Sequence, residues 1–146
     1  SYRLTEYVDL FPTLVEAAGL PTIPPCPLNS EETPVCTEGT SMMPLLNDSP
    51  SLKWRDRVFT QYPYPDDGDP KQMSYCVRTD RFLYVEWFKI KDTKNETLPE
   101  PLYKELYDNL KDVQQNKNVI NNPAYAKDIV RLSKQLRDGW RAALSA

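Results

Sequence analysis

Residues 73–87 read MSYCVRTDRFLYVEW, and this stretch decides the fold. Two runs rich in β-forming residues flank the polar pair Thr79-Asp80, which predicts an antiparallel hairpin between 74–78 and 82–87. Side chains of the second run alternate between two faces of the strand: Phe82, Tyr84 and Glu86 on one, Leu83, Val85 and Trp87 on the other. One face of the hairpin can therefore be buried, and we expect its aromatic residues to form a sheet core.

Two further segments, 58–62 and 105–108, have the same strand-like composition. The proline- and aspartate-rich stretch after residue 62 cannot be regular structure, so it is predicted to be a loop. The sequence therefore predicts a small antiparallel sheet of about four strands.

The C-terminal segment predicts a long helix. Asn122 can cap it and Pro123 can take its first position. Apolar residues then recur at steps of three and four: Tyr125, Ile129, Leu132, Leu136, Trp140 and Ala143. We expect this stripe to cover the sheet, because the sheet needs a burial partner. The predicted fold class is α+β, with one helix that runs across the sheet to near the C-terminus.

Residues 5–19 predict a shorter helix, with Asp9 as its N-cap and Gly19 as its stop. Its expected buried stripe consists of Leu10, Phe11, Leu14, Val15 and Ala18. The chain is already apolar and periodic where it opens, which indicates a piece of a longer protein. The stretch 20–50 is rich in proline, serine and threonine and predicts an irregular connection. We therefore divide the chain into a segment 1–50 and a C-terminal domain 51–146.

Cys26 and Cys36 lie among prolines in a stretch without secondary-structure periodicity. Free thiols are one interpretation, but a disulfide is favoured because a segment without regular structure needs a covalent cross-link. Closing such a loop contributes about 2.5–3 kcal/mol to stability. The spacing is too wide for half of a usual zinc site, and the chain has no histidine. A disulfide indicates an oxidising compartment. The triplet Asn95-Glu96-Thr97 is an N-glycosylation acceptor and points the same way.

The composition also excludes several classes of function. A net charge of −3 and a pI near 5.0 argue against nucleic acid as the main partner. No apolar run is long enough to cross a membrane. The absence of histidine removes the commonest general base. The cluster 66–69 (DDGD) is predicted to be a solvated turn and not a calcium loop, since it lacks the later ligands of such a loop. We therefore predict no catalytic residue and no metal site on this chain.

The charged residues leave alternatives open. Arg78 and Arg81 flank the hairpin turn in solvent, or they pair with Asp80 and Glu86. On the C-terminal helix, basic residues fall opposite the apolar stripe: Lys127, Arg131, Lys134 and Arg141. They form either an ordinary solvated helix face or a surface that meets a polyanion.

Three further stretches resemble the sulfatases of the alkaline-phosphatase-like superfamily. VDLFPTLVEAAGLP at 8–21 resembles a late helix of that family, GTSMMPLL at 39–46 resembles its G-x-S-x-x-PLL element, and KELYDNLKDVQQNKNVI at 104–120 resembles its ELYD segment. The usual DP after ELYD is Asp112-Val113 here. The cysteine pair, FTQYP at 59–63 and the hairpin resemble the iduronate-2-sulfatase branch. Together these motifs cover most of the chain.

The resemblance implies a lysosomal or secreted hydrolase that cleaves sulfate esters, with 2-O-sulfated iduronate of heparan or dermatan sulfate as the expected substrate. The family uses calcium and a formylglycine made from cysteine in a C-x-P/S-x-R motif. None of the three cysteines lies in such a motif. The resemblance therefore implies that both groups lie on an N-terminal catalytic part, that 1–50 ends the large α/β domain, and that this chain alone is inactive.

The loop around Gln61, Tyr62, Tyr64 and Lys71 is a hypothetical part of the substrate-pocket wall, because a lysine or tyrosine there could bind a uronate carboxylate or a sulfate. Alternatively, Lys71 is a surface residue and Tyr62 only packs. Two other functions remain open: a stand-alone secreted module that binds acidic glycans, and another sulfatase or phosphodiesterase of the same superfamily.

Overall fold

The computed structural model describes residues 2–27, 33–47, 52–64, 71–89 and 99–144. The chain forms two compact units, Ser1–Trp54 and Arg55–Ala146.

In the first unit, a 3-10 turn at Tyr7–Asp9 leads into helix α1, Leu10–Ala17. Asp9 is the N-cap residue of α1, as predicted, but its side chain makes no capping hydrogen bond to that helix, because the preceding turn leaves Asp9 in a helical conformation. Its buried carboxylate instead accepts hydrogen bonds from the backbone N–H of Glu6 and of Thr40, each at 2.8 Å. Gly19 follows α1 with a φ of +65°, as expected for a helix stop.

The segment 39–42 packs closely against the start of α1. The backbone N–H of Met42 donates to the hydroxyl of Thr13 at 2.8 Å. A Cβ placed on Gly39 would overlap the backbone carbonyl of Val8, so this approach requires glycine. The buried Asp9 carboxylate and Gly39 together hold this segment on the helix.

The expected buried stripe of α1 is exposed in this chain. Leu10, Phe11 and Leu14 are 46%, 55% and 66% exposed. The described residues supply no surface that covers them, which corrects the prediction of a buried stripe.

The structure contains a disulfide between Cys26 and Cys36, with Cα atoms 4.8 Å apart. The backbone on either side of it is also paired. The N–H of Cys26 donates to the carbonyl of Thr37 at 2.9 Å, and the N–H of Thr37 donates to the carbonyl of Pro24 at 3.0 Å. Two short arms of an otherwise irregular segment are therefore held by one covalent link and two hydrogen bonds.

The second unit contains the predicted antiparallel sheet, whose strands lie in chain order: β1 Arg57–Tyr64, β2 Gln72–Thr79, β3 Phe82–Lys89 and β4 Tyr103–Asp108. One cross-strand row, which passes through Phe59, Val77, Tyr84 and Leu106, faces the C-terminal helix. We call this side the helix face and the opposite side the outer face.

The C-terminal segment covers the helix face as predicted, but not as one helix. Asn122 caps a 3-10 turn at Pro123–Tyr125 by accepting the N–H of Ala124 at 3.0 Å. Helix α2 then runs over Ala126–Asp138, and α3 over Arg141–Leu144. Gly139, with a φ of +79°, ends α2 and corrects the single-helix prediction. The buried core joins Val77, Phe82, Tyr84, Leu106, Tyr125, Leu132 and Leu136.

Candidate functional site

The residues proposed for a substrate-pocket wall lie near the end of the β1–β2 pair where Tyr64 is opposite Gln72. Tyr62 and Tyr64 are 51% and 56% exposed and point to the outer face. Gln61 precedes Tyr62 in the strand and therefore points to the opposite side, the helix face. Lys71 is exposed, and its N–H donates to the carbonyl of Tyr64 at 3.1 Å. The structure thus brings Tyr62, Tyr64 and Lys71 together and separates Gln61 from the two tyrosines.

The outer face carries a cross-strand row that has an aromatic side chain on three of the four strands. Tyr62 pairs with Ser74, Ser74 with Trp87, and Trp87 with Tyr103. Tyr64 reaches into this row, since its ring meets that of Trp87 edge-on with centroids 6.2 Å apart. Trp87 therefore belongs to the outer face and not to the core beneath the helix, which corrects that expectation.

Glu105 is the acidic centre of the outer face. Its carboxylate accepts hydrogen bonds from the Trp87 indole and from the Tyr107 hydroxyl, each at 2.7 Å. Burial and the bond to Glu105 raise the pKa of Tyr107 to about 12. Tyr107 is therefore a hydrogen-bond donor at neutral pH and not a general base.

Cys76 also lies on the outer face and is half-buried. Burial raises the pKa of its thiol, and the nearby Glu105 carboxylate adds to this effect. Because the thiolate is the reactive form, Cys76 is poorly suited to nucleophilic catalysis.

On the helix face, a fully buried carboxylate joins the sheet to α2. Glu86 accepts hydrogen bonds from the hydroxyls of Tyr84 and Ser133, both at 2.7 Å, and forms an ion pair with Arg137 at 3.0 Å. Burial and the bond to Glu86 raise the pKa of Tyr84 well above its ordinary value. Each oxygen of the buried carboxylate thus has a donor, which is the condition for tolerating a charge in a core. Glu86 therefore pairs with Arg137 and not with a hairpin arginine.

The hairpin arginine Arg81 binds a different carboxylate. Its guanidinium donates two hydrogen bonds to Asp108, at 2.7 and 3.1 Å, and the Tyr125 hydroxyl donates a third at 3.0 Å. These bonds lower the pKa of Asp108 to about 2, and the hydrogen bonding from Arg81 has the largest effect. Arg81 therefore links the hairpin turn to the end of β4, while its side chain stays 41% exposed.

A cavity of 310 Å³ lies beside Asp108, where the loop after β4 meets the start of the C-terminal helical segment. Its lining residues are Asp108, Lys111, Asp112, Lys117, Val119, Asn122 and Tyr125. The Lys111 ammonium donates to the Tyr125 hydroxyl at 3.2 Å. The cavity therefore combines the ammonium groups of Lys111 and Lys117 with polar side chains and the apolar side chain of Val119.

No cluster of three or more histidine, cysteine, aspartate or glutamate side chains capable of holding a metal occurs among the residues that the structure covers. Among those same residues, no helix is both long and apolar enough to cross a bilayer. Asn95, the predicted glycosylation acceptor, lies outside the described residues and stays a prediction.

A profile of the N-sulphoglucosamine sulphohydrolase C-terminal family matches residues 2–141. The chain belongs to this sulfatase family. Among curated relatives, Iduronate 2-sulfatase of Mus musculus is 35% identical across 58% of this chain, and that of Homo sapiens is 34% identical across 60%. The chain spans only 19% of the length of each relative.

Solved structures agree with this sulfatase assignment. A 2-O GAG sulfatase superposes with a TM-score of 0.62 and 25% identity, over 89% of this chain and 23% of that protein. The phosphonate monoester hydrolase of Agrobacterium radiobacter has a TM-score of 0.63 and 23% identity, over 92% of this chain and 24% of that chain. The second likeness shows the shared fold alone.

Sequence reasoning missed the partners of the three carboxylates at the centre of the second unit. Alternation in β3 already placed Trp87 opposite Glu86, so it could have assigned Trp87 to the outer face. The pairing of Trp87 with Glu105 and of Arg137 with Glu86 depends on strand register and helix placement, for which the sequence carries no local signal.

Proposed function

We propose that this chain is the C-terminal domain of an enzyme that hydrolyses the 2-O-sulfate ester of iduronate in heparan or dermatan sulfate. The observation that carries the proposal is the 35% identity to Iduronate 2-sulfatase, within a family match over residues 2–141. The 2-O GAG sulfatase with the same fold supports the class of substrate.

In this proposal the chain is a supporting domain, and the reacting groups lie on a catalytic part of the same enzyme. The family's formylglycine and calcium do not fit the residues present. The cysteines occur in CPLNS, CTEGT and CVRTD, none of which is a C-x-P/S-x-R motif. The exposed stripe of α1, with Leu10, Phe11 and Leu14, supports docking against that catalytic part.

The proposed compartment is lysosomal or extracellular. The Cys26–Cys36 disulfide supports it, because such bonds persist in oxidising surroundings. We also propose that Asn95 is glycosylated.

We assign Tyr62, Tyr64 and Lys71 to the substrate-pocket wall. The two tyrosines are half-exposed on one face of the sheet, and Lys71 is bonded through its backbone to Tyr64. A tyrosine ring offers a stacking surface to a sugar, and a lysine offers a charge-assisted bond to its carboxylate or sulfate. Gln61 points to the other face and has no part in this assignment.

The decisive experiment is sulfate release from a 2-O-sulfated iduronide, measured by ion chromatography. The enzyme that contains this chain is expected to release sulfate, and the 146-residue chain alone is expected to release none. Sulfate release by the purified chain alone would refute the supporting role. Failure of the enzyme to cleave this substrate, with cleavage of a 6-O-sulfated glucosamine instead, would refute the assigned substrate.

The pocket wall has its own test in the same enzyme. Lys71→Ala is expected to raise KM for the sulfated iduronide about tenfold, since it removes one charge-assisted hydrogen bond. Lys127→Ala is the matched control, because Lys127 is an exposed lysine on α2. An unchanged KM and kcat for Lys71→Ala would remove Lys71 from the wall.

The alternative of a stand-alone glycan-binding module depends on the basic face of α2. Two of its cations have acidic partners on the same helix: Arg131 pairs with Asp128 at 3.0 Å, and Lys134 with Asp138 at 2.6 Å. These ion pairs reduce the positive potential of that face, so no observation favours this alternative.

A further inference from the structure

We propose that the cavity between the loop after β4 and the start of the C-terminal helical segment binds one acidic sugar unit, outside the reaction centre. We name it the lysine cavity, and its members are Asp108, Lys111, Asp112, Lys117, Val119, Asn122 and Tyr125. Its volume of 310 Å³ is at the lower end of the range for small-molecule sites, which suits one sugar ring.

The walls of the lysine cavity are held in place by the surrounding structure. The backbone N–H of Lys117 donates to the Asp112 carboxylate at 2.8 Å, which closes the loop. Asn118 accepts the N–H groups of Leu106 and Ile120, each at 3.0 Å, which attaches the loop to β4. The opposite wall is Tyr125, which is buried and bonded to Asp108. The cavity is thus formed before any ligand arrives, which lowers the cost of binding.

The charge of the cavity favours an anion. The Asp108 carboxylate is already satisfied by the two hydrogen bonds from Arg81. The lining carries two lysines and two aspartates, whose charges balance. Because Arg81, which lies outside the lining, compensates the charge of Asp108, one positive charge of the two lysines remains uncompensated beside Asp112. Within the described residues, the Lys117 ammonium makes no hydrogen bond or ion pair, so it is available to a ligand.

The remaining groups suit the hydroxyls of a sugar. Asp112 offers carboxylate oxygens as acceptors, and the exposed Asn122 side chain is polar. Val119 supplies an apolar patch for the face of a ring. A sulfate or carboxylate group would bind the two ammonium groups, while hydroxyls would bind the polar rim. The choice of an acidic sugar rests on the proposed function, whereas the preference for an anion rests on the cavity alone.

The test is a titration of the full 146-residue chain, labelled with ¹⁵N, with a heparin-derived tetrasaccharide. Amide shifts are expected at Lys117, Val119 and Asn122. Lys117→Gln is expected to weaken binding about tenfold, since one charge-assisted hydrogen bond is lost. Lys127→Gln, an exposed lysine outside the cavity, is expected to leave affinity unchanged. Circular dichroism verifies that both variants fold, and Lys111→Gln serves as a second variant in the cavity.

Two further measurements complete the test. One distinguishes free sulfate from an anionic group on a sugar, and the other distinguishes this proposal from the proposed function. Titration with sodium sulfate alone is expected to shift the same amides at much higher concentrations. Equal affinity for free sulfate and for the tetrasaccharide would overturn the sugar assignment. Equal weakening by Lys117→Gln and Lys127→Gln, or no shift at the cavity, would overturn the site. Sulfate release by the wild-type enzyme is measured separately, so that a failure of the cavity is distinguished from a failure of the proposed function.

Discussion

Arg137 on α2 and Glu86 on β3 form an ion pair at 3.0 Å, in which the carboxylate is fully buried and the guanidinium is partly exposed. The pair fixes how the helix lies on the sheet, because each oxygen of Glu86 is bonded to a specific partner. Hydrophobic contacts alone would tolerate small shifts of the helix, whereas a buried carboxylate loses its partners if the helix slides.

Arg137→Ala should therefore destabilise the second unit strongly. It leaves the Glu86 charge buried with only two hydroxyl donors, and we expect a loss of about 3 kcal/mol in the free energy of unfolding. Urea denaturation followed by circular dichroism measures this loss. Arg131→Ala is the control, since its ion pair with Asp128 is exposed and should contribute less than about 1 kcal/mol. Equal losses for the two variants would show that Glu86 is not electrostatically dependent on Arg137.

The Arg81–Asp108 pair should make the free energy of unfolding depend on pH in the acid range. The pKa of Asp108 falls from 3.8 in the unfolded chain to about 2 in the folded protein. A lowered folded pKa adds stability above the unfolded value, and this stability is lost as pH falls through the folded value. We expect the wild type to lose this contribution between pH 4 and pH 2.

Asp108→Asn lacks that titration, so its free energy of unfolding should change less over the same pH window. Urea denaturation at half-unit pH steps measures both proteins. Parallel curves from pH 4 to pH 2 would contradict the role of Asp108.

Glycine substitutions in the first unit should differ in severity. At Gly39 an added Cβ meets the backbone of Val8, which cannot move as a side chain can, so Gly39→Ala should cost about 3 kcal/mol. Gly19→Ala meets nothing nearby and suffers only from its φ of +65°, so it should cost about 1 kcal/mol. Thermal unfolding compares the two. A Tm for Gly39→Ala equal to that of Gly19→Ala would disprove the close packing on Val8.

The disulfide should stabilise the first unit by restricting the unfolded chain. Replacing both Cys26 and Cys36 by alanine should lower the free energy of unfolding by about 2.5–3 kcal/mol. Cys76→Ser is the comparison, since Cys76 is not disulfide-bonded. Peptide mapping without reductant should recover Cys26 and Cys36 in one linked peptide, and recovery of the two as separate thiols would exclude the bond.

Cys76 should react slowly with thiol reagents. Burial raises the pKa of its thiol, so the thiolate fraction at pH 8 is smaller than that of a free cysteine. We expect alkylation by iodoacetamide to be at least about tenfold slower in the folded chain than in 6 M urea. Equal rates in the two solvents would mean that the outer face leaves this thiol open to solvent.

Much of the fold was predictable because it depends on local periodicity. Alternation in residues 82–87 indicated a strand with a buried face, and the apolar steps from Tyr125 to Ala143 indicated a helix against it. The break at Gly139 was not predicted, because an isolated glycine inside a helical pattern is often tolerated. The exposed stripe of α1 has the same pattern as a buried one, since periodicity shows which face is apolar and not what covers it.

The candidate sites were predictable only in part. Tyr62, Tyr64 and Lys71 could be grouped from their place in the sequence, but strand alternation separates Gln61 from the tyrosines. The lysine cavity was not predicted, because its lining comes from β4, the loop after it and the start of the helical segment. No single stretch of sequence contains all the residues that line the cavity.

The sequence by itself determined the strands, the helices, the cysteine pair and the membership in a sulfatase family, because each depends on residues close together along the chain. Only the tertiary structure decided which partner each carboxylate meets: Glu86 meets Arg137, Asp108 meets Arg81, and Glu105 meets the Trp87 indole. The physical reason is that a hydrogen bond needs its partners within about 3 Å. That distance is set by register and packing across the whole domain and not by neighbours in the chain.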